Sequence, residues 1–293
     1  MLEPGDVLVV NESKVRAARL VGRRERTGGA VELLLLDRRD DGLWDALARP
    51  SRRLRPGVRI EFGGLQAVIR SEPREGRVVV ELVSDDPERA VETVGMVPLP
   101  PYFTGDLDDP ARYQTMFAVT PGSAAAPTAG LHFTEEVVSG LARRDIAIAT
   151  VDLHVSLDTF RPMTAAVVED HEMHSEWCGV PQSTVQAVER ARERGGKVVA
   201  VGTTVVRTLE SMADGRGGVT AGEGRTDLFL KPGSVFRVVD ALVTNFHMPR
   251  STLLVLLAAF MGPRWRAAYR TALDLGYRFL SFGDAMYAER DQT

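Results

Sequence analysis

One cysteine, Cys178, stands alone in 293 residues, so no internal disulfide can form and a reducing, cytoplasmic compartment is the simplest expectation. Long apolar runs are missing too. Residues 252–260 (TLLVLLAAF) are the most apolar stretch, and they fall short of the roughly 20 residues that a membrane helix needs. No basic segment followed by an apolar one opens the chain, which argues against an export signal. Repeats and low-complexity tracts are absent, and lysine is nearly so. Histidine does not occur before residue 132; all five, His132, His154, His171, His174 and His247, lie beyond it.

What is present is an ordinary globular composition, 44% hydrophobic and 26% charged, long enough for one large domain or two smaller ones. The net charge of −4 argues against a general nucleic-acid binder. Its distribution is uneven. Residues 14–74 hold 15 Lys and Arg against 8 Asp and Glu. This Arg-rich segment is either a local phosphate-facing patch, with Arg52, Arg53 and Arg55 at its centre, or a solvated face.

The opening "PGDVLVV" is a turn followed by a buried strand. Residues 16–21, 30–36, 58–62, 65–71 and 77–83 then read as short Val/Leu/Ile strands with glycine turns between them. With no helical period among them, they predict a small antiparallel barrel. The pattern changes at Val97, where the prolines of "VPLPPYF" bar helix and central strand. Beyond it, helices are expected at 134–144, 182–194, 204–212, 251–260 and 264–275. Strands are expected at 146–153, in "KVVAVG", and at 227–230 and 235–243. That alternation means α/β. "ADGRGGVTAGEGRTD" reads as a Gly-rich surface loop.

Several stretches can carry chemistry. "HEMHSE" sets His171, His174 and Glu176 close together; its spacing is not that of the zinc-protease helix, and no metal is expected. "VGTTVVRTLES" is a strand, a glycine turn and a helix. Its free amides and the Thr203 and Thr204 hydroxyls suit an anion or polar ligand edge, with Arg207 one turn in; the alternative is a plain threonine cap. "TNFHMPRST" puts Asn245 and His247 at a strand end, where open α/β sheets bind ligands. Asp284 in "SFGDAM" suits ribose hydroxyls or a cap. "RYQTMFA" offers Arg112 and Tyr113 beside an apolar turn. In "GSAAAPTAGLHFT", small residues including Thr128 and Gly130 either wall a ligand with exposed amides or pack a loop against a sheet, with His132 at the end.

Taken in order, these blocks, together with "TDLFLKPG" and "PGDVLVVNESKVRAARL", resemble the signatures of the S-adenosylmethionine:tRNA ribosyltransferase-isomerase family of queuosine biosynthesis. The likeness covers essentially the whole chain. It implies a discontinuous α/β catalytic domain, residues 1–13 and 97–293, with an inserted β-barrel domain at 14–96. It implies transfer and isomerisation of the ribosyl part of S-adenosylmethionine onto 7-aminomethyl-7-deazaguanine at the tRNA wobble position. Adenine and methionine leave and epoxyqueuosine forms. No cofactor is implied beyond S-adenosylmethionine as co-substrate; the partner is tRNA with a modified wobble base, the working unit a monomer, and no membrane is involved.

Such chemistry needs a base for the carbon beside the sulfonium, a neutral amine, and a donor for the departing adenine. His132, His154, His171, His174 and Glu176 are the acid–base candidates. Asn11, Arg112, Tyr113, Thr128, Gly130, Thr203, Thr204, Arg207, Asn245, His247 and Asp284 are the expected substrate-binding groups, and Arg52, Arg53 and Arg55 the tRNA-binding ones. Two departures stand out. Ser156 and Asp158 replace family glycines, where a left-handed backbone or close approach to a ligand is expected. The family also carries a few dozen residues before "PGDVLVVN", so a late start or a lost segment is expected. A divergent paralogue acting on another acceptor, or a non-catalytic tRNA-binding protein, is the alternative.

Overall fold

The computed structural model describes residues 1–100, 102–103, 107, 109–156, 159 and 162–291. Asp158 and Pro101 lie outside the described residues. Two compact units are present, Val15–Phe103 and the remainder, Met1–Lys14 with Thr104–Thr293.

The chain opens with β1 (Val7–Asn11), in the larger unit, and β2 (Ser13–Val15), which ends at the boundary. The intervening unit then contributes β3 (Arg19–Arg24), β4 (Ala30–Arg38), β5 (Trp44–Arg49), β6 (Arg59–Phe62), β7 (Leu65–Ile69), β8 (Arg77–Val83) and α1 (Pro87–Val94). Its six strands close as β3-β4-β5-β8-β7-β6, every pair antiparallel. Alternate residues point inward, so Leu20, Leu33, Leu35, Trp44, Ile60 and Val80 fill the interior. The hydrophobic pattern does not disclose β5. "WDALAR" contains two alanines and an aspartate, poor strand formers, and it becomes a strand because β4 and β8 flank it. Helix α1 was also not expected, although Asp86 caps it and Pro87 opens it, a standard start signal.

The larger unit continues with β9 (Thr120–Ser123), α2 (Glu135–Arg143), β10 (Ala147–Leu153), β11 (Glu176–Val180), α3 (Gln182–Glu193), β12 (Val198–Val201), α4 (Thr203–Ser211) and β13 (Gly222–Thr226). It ends with β14 (Ala241–Asn245), α5 (Thr252–Met261), α6 (Arg264–Asp274) and β15 (Ala285–Glu289). Seven of these strands form one sheet, β13-β11-β10-β1-β12-β14-β15. The four central ones are parallel, with Val7 opposite both Ala147 and Val198, and Val199 opposite Ala241. The outer strands are antiparallel. The sheet is buried on both faces, which is why its central strands are continuously apolar. Val7, Val9 and Ala200 pack with Val205, Leu209 and Phe260 on one side. Leu8, Val10 and Val201 pack with Ala129 and Leu141 on the other.

Three expectations fail here. Residues 227–230 are not a strand. The strand is β13, inside the glycine-rich stretch read as a surface loop, and it forms because β11 offers it an edge, Cys178 opposite Gly224. Only the end of 235–243 is strand. The amides of Arg237, Val238 and Val239 donate instead to the buried Glu210 carboxylate, at 2.7, 3.1 and 3.0 Å. A side chain has replaced a ladder partner.

Phe260 is fully buried and meets Phe236 edge-on, with ring centroids 5.0 Å apart. Phe260→Ala is expected to destabilise this unit by about 3–5 kcal/mol. Urea unfolding followed by circular dichroism measures it.

Candidate active site

Strand direction sets the location. Because β10, β1, β12 and β14 are parallel, their C-terminal ends lie along one edge of the sheet. Asn11 ends β1, His154 follows β10, Gly202 and Thr203 follow β12, and Asn245 ends β14. Four of the expected blocks therefore arrive at one edge.

Asn11 works as a clamp between chain segments. Its Nδ2 donates to the Leu153 carbonyl at 3.0 Å, and its Oδ1 accepts from the amides of Ser13 and Leu153 at 3.0 and 3.2 Å. It reaches Thr204 Oγ1 only at 3.5 Å. Gly202 has φ 96°, a left-handed region that glycine enters without steric cost, and its turn starts α4. Thr203 and Thr204 are buried and give no side-chain cap to that helix. They line a cleft with Thr159, Met173, Phe229 and Leu256.

Beneath that cleft lies the most heavily partnered charge of the site. Glu176 is fully buried, and Oε2 pairs with the Arg207 guanidinium. Its Oε1 accepts from the Ser156 amide at 2.8 Å and from Thr159 Oγ1 at 3.1 Å, and lies 3.1 Å from His174 Nε2. Arg207 also donates to the carbonyls of Leu228 and Thr226. Burial alone would raise the Glu176 pKa, but the hydrogen bond from His174 and the charge of Arg207 outweigh it and hold the carboxyl below its ordinary range. Arg207 thus lines the same cleft as Thr203 and Thr204, with its guanidinium engaged by Glu176 and the backbone. Ser156 is not in the left-handed region, so a side chain costs no backbone strain there.

A second group stands next along β11. His154 packs against Trp177 with ring centroids 4.5 Å apart, and its amide donates to the Trp177 carbonyl. Its Nε2 lies 3.5 Å from Asp152 Oδ2. A Cβ at Gly122 would sit 2.2 Å from the His154 ring, so the glycine is what admits the imidazole. Asp152 was missed in the sequence, although two residues apart on a strand share a face.

The third group joins Thr128, His132 and Asn245. Asn245 Nδ2 donates to His132 Nε2 at 2.9 Å and to the Leu280 carbonyl at 3.2 Å, and Thr128 Oγ1 donates to Asn245 Oδ1 at 3.0 Å. Burial lowers the His132 pKa, opposed by the charge of Asp284. Asp284 itself is held by the Arg278 amide at 2.7 Å, the capping alternative. The small-residue stretch mostly packs. Ala124, Ala125, Ala126, Ala129 and Gly130 are buried, so the wall of exposed amides is largely an interior contact; Thr128 and His132 are among the residues that stand part-open. Ala129 passes over Gly202, where a Cβ would lie 3.5 Å from its own.

The remaining candidates have other surroundings. His247 is buried, with Nε2 2.9 Å from Thr244 Oγ1, and burial pushes its pKa down to about 4. It is a core histidine at this strand end, as Tyr269 Oη accepting from its amide at 2.8 Å also shows. His171 meets Phe229 edge-on at 5.4 Å, on the rim of the cleft. Tyr113 is buried against Phe282, and Arg112 is exposed. Gly130 lies against Thr115, whose Cγ2 would be 2.9 Å from a Cβ there. Arg52 and Arg53 are exposed and Arg55 pairs with Glu72 at 3.0 Å, all in the barrel unit. No cluster of three or more His, Cys, Asp or Glu with metal-binding geometry occurs among the described residues.

The chain matches the family model of queuosine biosynthesis proteins over residues 1–288. It is 50% identical over 289 residues to an S-adenosylmethionine:tRNA ribosyltransferase-isomerase of Symbiobacterium thermophilum, covering 97% of this chain and 85% of the relative. The enzyme of that name from Gloeobacter violaceus is 49% identical over 290 residues, covering 98% and 82%. Among solved structures, a Thermotoga maritima S-adenosylmethionine tRNA ribosyltransferase is similar, with 38% identity, a TM-score of 0.51, and coverage of 98% of this chain and 83% of that one.

Replacing Glu176 by Gln strands the Arg207 charge in the interior, and a loss of about 3–5 kcal/mol is expected. The pH dependence has a definite sign. A folded pKa below the unfolded one means that the unfolded chain binds the proton first, so the stabilisation is complete above the ordinary value of 4.5 and drains away as pH falls through the folded value. Urea midpoints of the natural protein are expected to drop below pH 4.5 more steeply than those of Glu176→Gln.

Proposed function

Since this chain belongs to the queuosine biosynthesis protein family, we propose that it transfers and isomerises the ribosyl group of S-adenosylmethionine onto 7-aminomethyl-7-deazaguanine at the tRNA wobble position. Epoxyqueuosine-tRNA, adenine and methionine are the products. The observation that carries the reading is the convergence of Asn11, His154, Thr203 and Asn245 at the C-terminal edge of four parallel strands, beside a cleft that backs onto a buried ion pair.

The sulfonium acidifies the adjoining ribose carbon, and a base must take that proton. His154 suits this best, because Asp152 faces its Nε2 and Trp177 and Gly122 hold the ring from two sides. Glu176 suits it poorly: its carboxylate is saturated by donors, and its affinity for a proton is reduced. We assign it, with Arg207, to holding His174, Ser156 and Thr159. The amine of the deazaguanine attacks once neutral, and His174, part-exposed beside Glu176, is the group we place nearest that proton. Thr203 and Thr204 offer hydroxyls and helix amides to the nucleoside. The working unit is assigned as a monomer in the cytoplasm; none of the described helices is long and apolar enough to cross a membrane.

The direct test is incubation with S-adenosylmethionine and tRNA bearing 7-aminomethyl-7-deazaguanine. Adenine release that depends on the tRNA is expected. S-adenosylmethionine binding without release would instead favour a divergent acceptor. Gly122→Ala is expected to displace His154 and lower kcat by about 100-fold or more, the scale of a lost acid–base group, with circular dichroism unchanged.

We also assign Arg52, Arg53 and Arg55 to the tRNA backbone. The Arg55–Glu72 pair is exposed, and such pairs are worth only about 0–1 kcal/mol, so Arg55 can exchange partners. Replacing all three by Ala is expected to weaken tRNA binding and to flatten the plot of log affinity against log salt by about 0.7–0.9 for each phosphate that is no longer neutralised. An unchanged slope would leave these arginines as ordinary surface.

A further inference from the structure

The groups around His132 admit one form of its ring. Asn245 is buried at the end of β14, and the direction of its amide is set by its neighbours. The Leu280 carbonyl can only accept, so the group 3.2 Å away must be Nδ2. Turning the amide over would set Oδ1 against that carbonyl oxygen. Thr128 Oγ1 completes the arrangement by donating to Oδ1 at 3.0 Å. Leu280 is held in turn: it has φ 73°, which a branched side chain rarely adopts, and its amide donates to the Phe246 carbonyl at 2.9 Å. With both neighbours satisfied, Nδ2 donates to His132 Nε2 at 2.9 Å. A ring nitrogen that accepts carries no proton, so the neutral imidazole has its hydrogen on Nδ1.

We propose that Asn245 is a positioning residue that locks His132 as the neutral Nδ1–H tautomer, so that His132 meets the nucleoside as a hydrogen-bond donor and not as the base. The proposal rests on the activity assigned above. Its chemistry needs no proton transfer from the ring. The Nδ1–H donates to an acceptor atom of the nucleoside and strengthens as negative charge grows there, as on a departing purine nitrogen. Protonation of His132 would place an N–H of the ring against an N–H of the Asn245 amide. Burial opposes that form as well, whereas Asp284, tied to Arg278, favours it.

Ring 15N shifts of the full chain, read from long-range 1H–15N correlation spectra, distinguish the two tautomers and the imidazolium. His132→Gln identifies the His132 signals. At neutral pH the natural protein is expected to carry the proton on Nδ1. Asn245→Ala is expected to move it to Nε2, the form that histidine prefers in water. Asn245→Asp, which offers an acceptor instead, is expected to give the imidazolium. In adenine-release assays both variants are expected to lower kcat about tenfold or more, with a much smaller change in KM for S-adenosylmethionine. A proton on Nε2 in the natural protein would overturn the proposal, and so would an Nδ1–H that persists in Asn245→Ala. The first of these measurements reads the natural protein itself and uses a variant, His132→Gln, only to identify the signals. The spectra also need no turnover, so a natural protein that releases no adenine would count against the assigned activity while the tautomer was still decided.

Discussion

A single buried carboxylate organises the site. An ionised group inside a protein is tolerated only when its charge is matched and its lone pairs are filled. Glu176 meets both conditions with four partners: the Arg207 guanidinium on α4, the Ser156 amide, the Thr159 hydroxyl and the His174 imidazole. Each partner is held where Glu176 requires it. Arg207 extends the network to the carbonyls of Thr226 and Leu228. The segment after β10, the segment before β11, α4 and the end of β13 are tied together by one charge.

The same constraint divides the polar residues into two kinds. Asn11, Glu176, Arg207, Glu210 and His247 are saturated by protein partners and shape the edge of the sheet. His132, His154 and His174 are part-exposed, as is His171, and have fewer partners; the first three are the imidazoles that we place against the substrate. Each has one fixed neighbour, Asn245, Asp152 or Glu176, and that neighbour sets how the ring is held. An amide and a carboxylate orient a ring in different ways. Three histidines in one unit can therefore perform different tasks without any difference in residue type.

Much of this was legible from residue order. The glycine turns and short apolar strands disclosed the barrel, and the α/β alternation beyond Val97 disclosed the sheet. The blocks around His132, His154, Thr203 and Asn245 marked the strand ends. Strands β5, β11, β13 and β15 were not legible, because each carries polar or small residues and exists only through its neighbours in the sheet. Asp152 was overlooked inside an apolar strand. The exposed wall expected of "GSAAAPTAG" proved to be mostly interior, since small side chains serve close packing as readily as close approach to a ligand.

The amino-acid order by itself determined which residues were available: five late histidines, an uncharged small-residue loop, a glycine before two threonines, and arginines gathered in the barrel segment. Those are properties of composition and spacing, and they survive without coordinates. Tertiary structure alone decided how each was used. Arg207 and Glu176 lie 31 positions apart, and Asn245 and His132 lie 113 apart. Pairing over such separations depends on parallel strands bringing distant chain ends to one edge. Whether a side chain is saturated there or left open is settled by its neighbours in space, which local sequence does not encode.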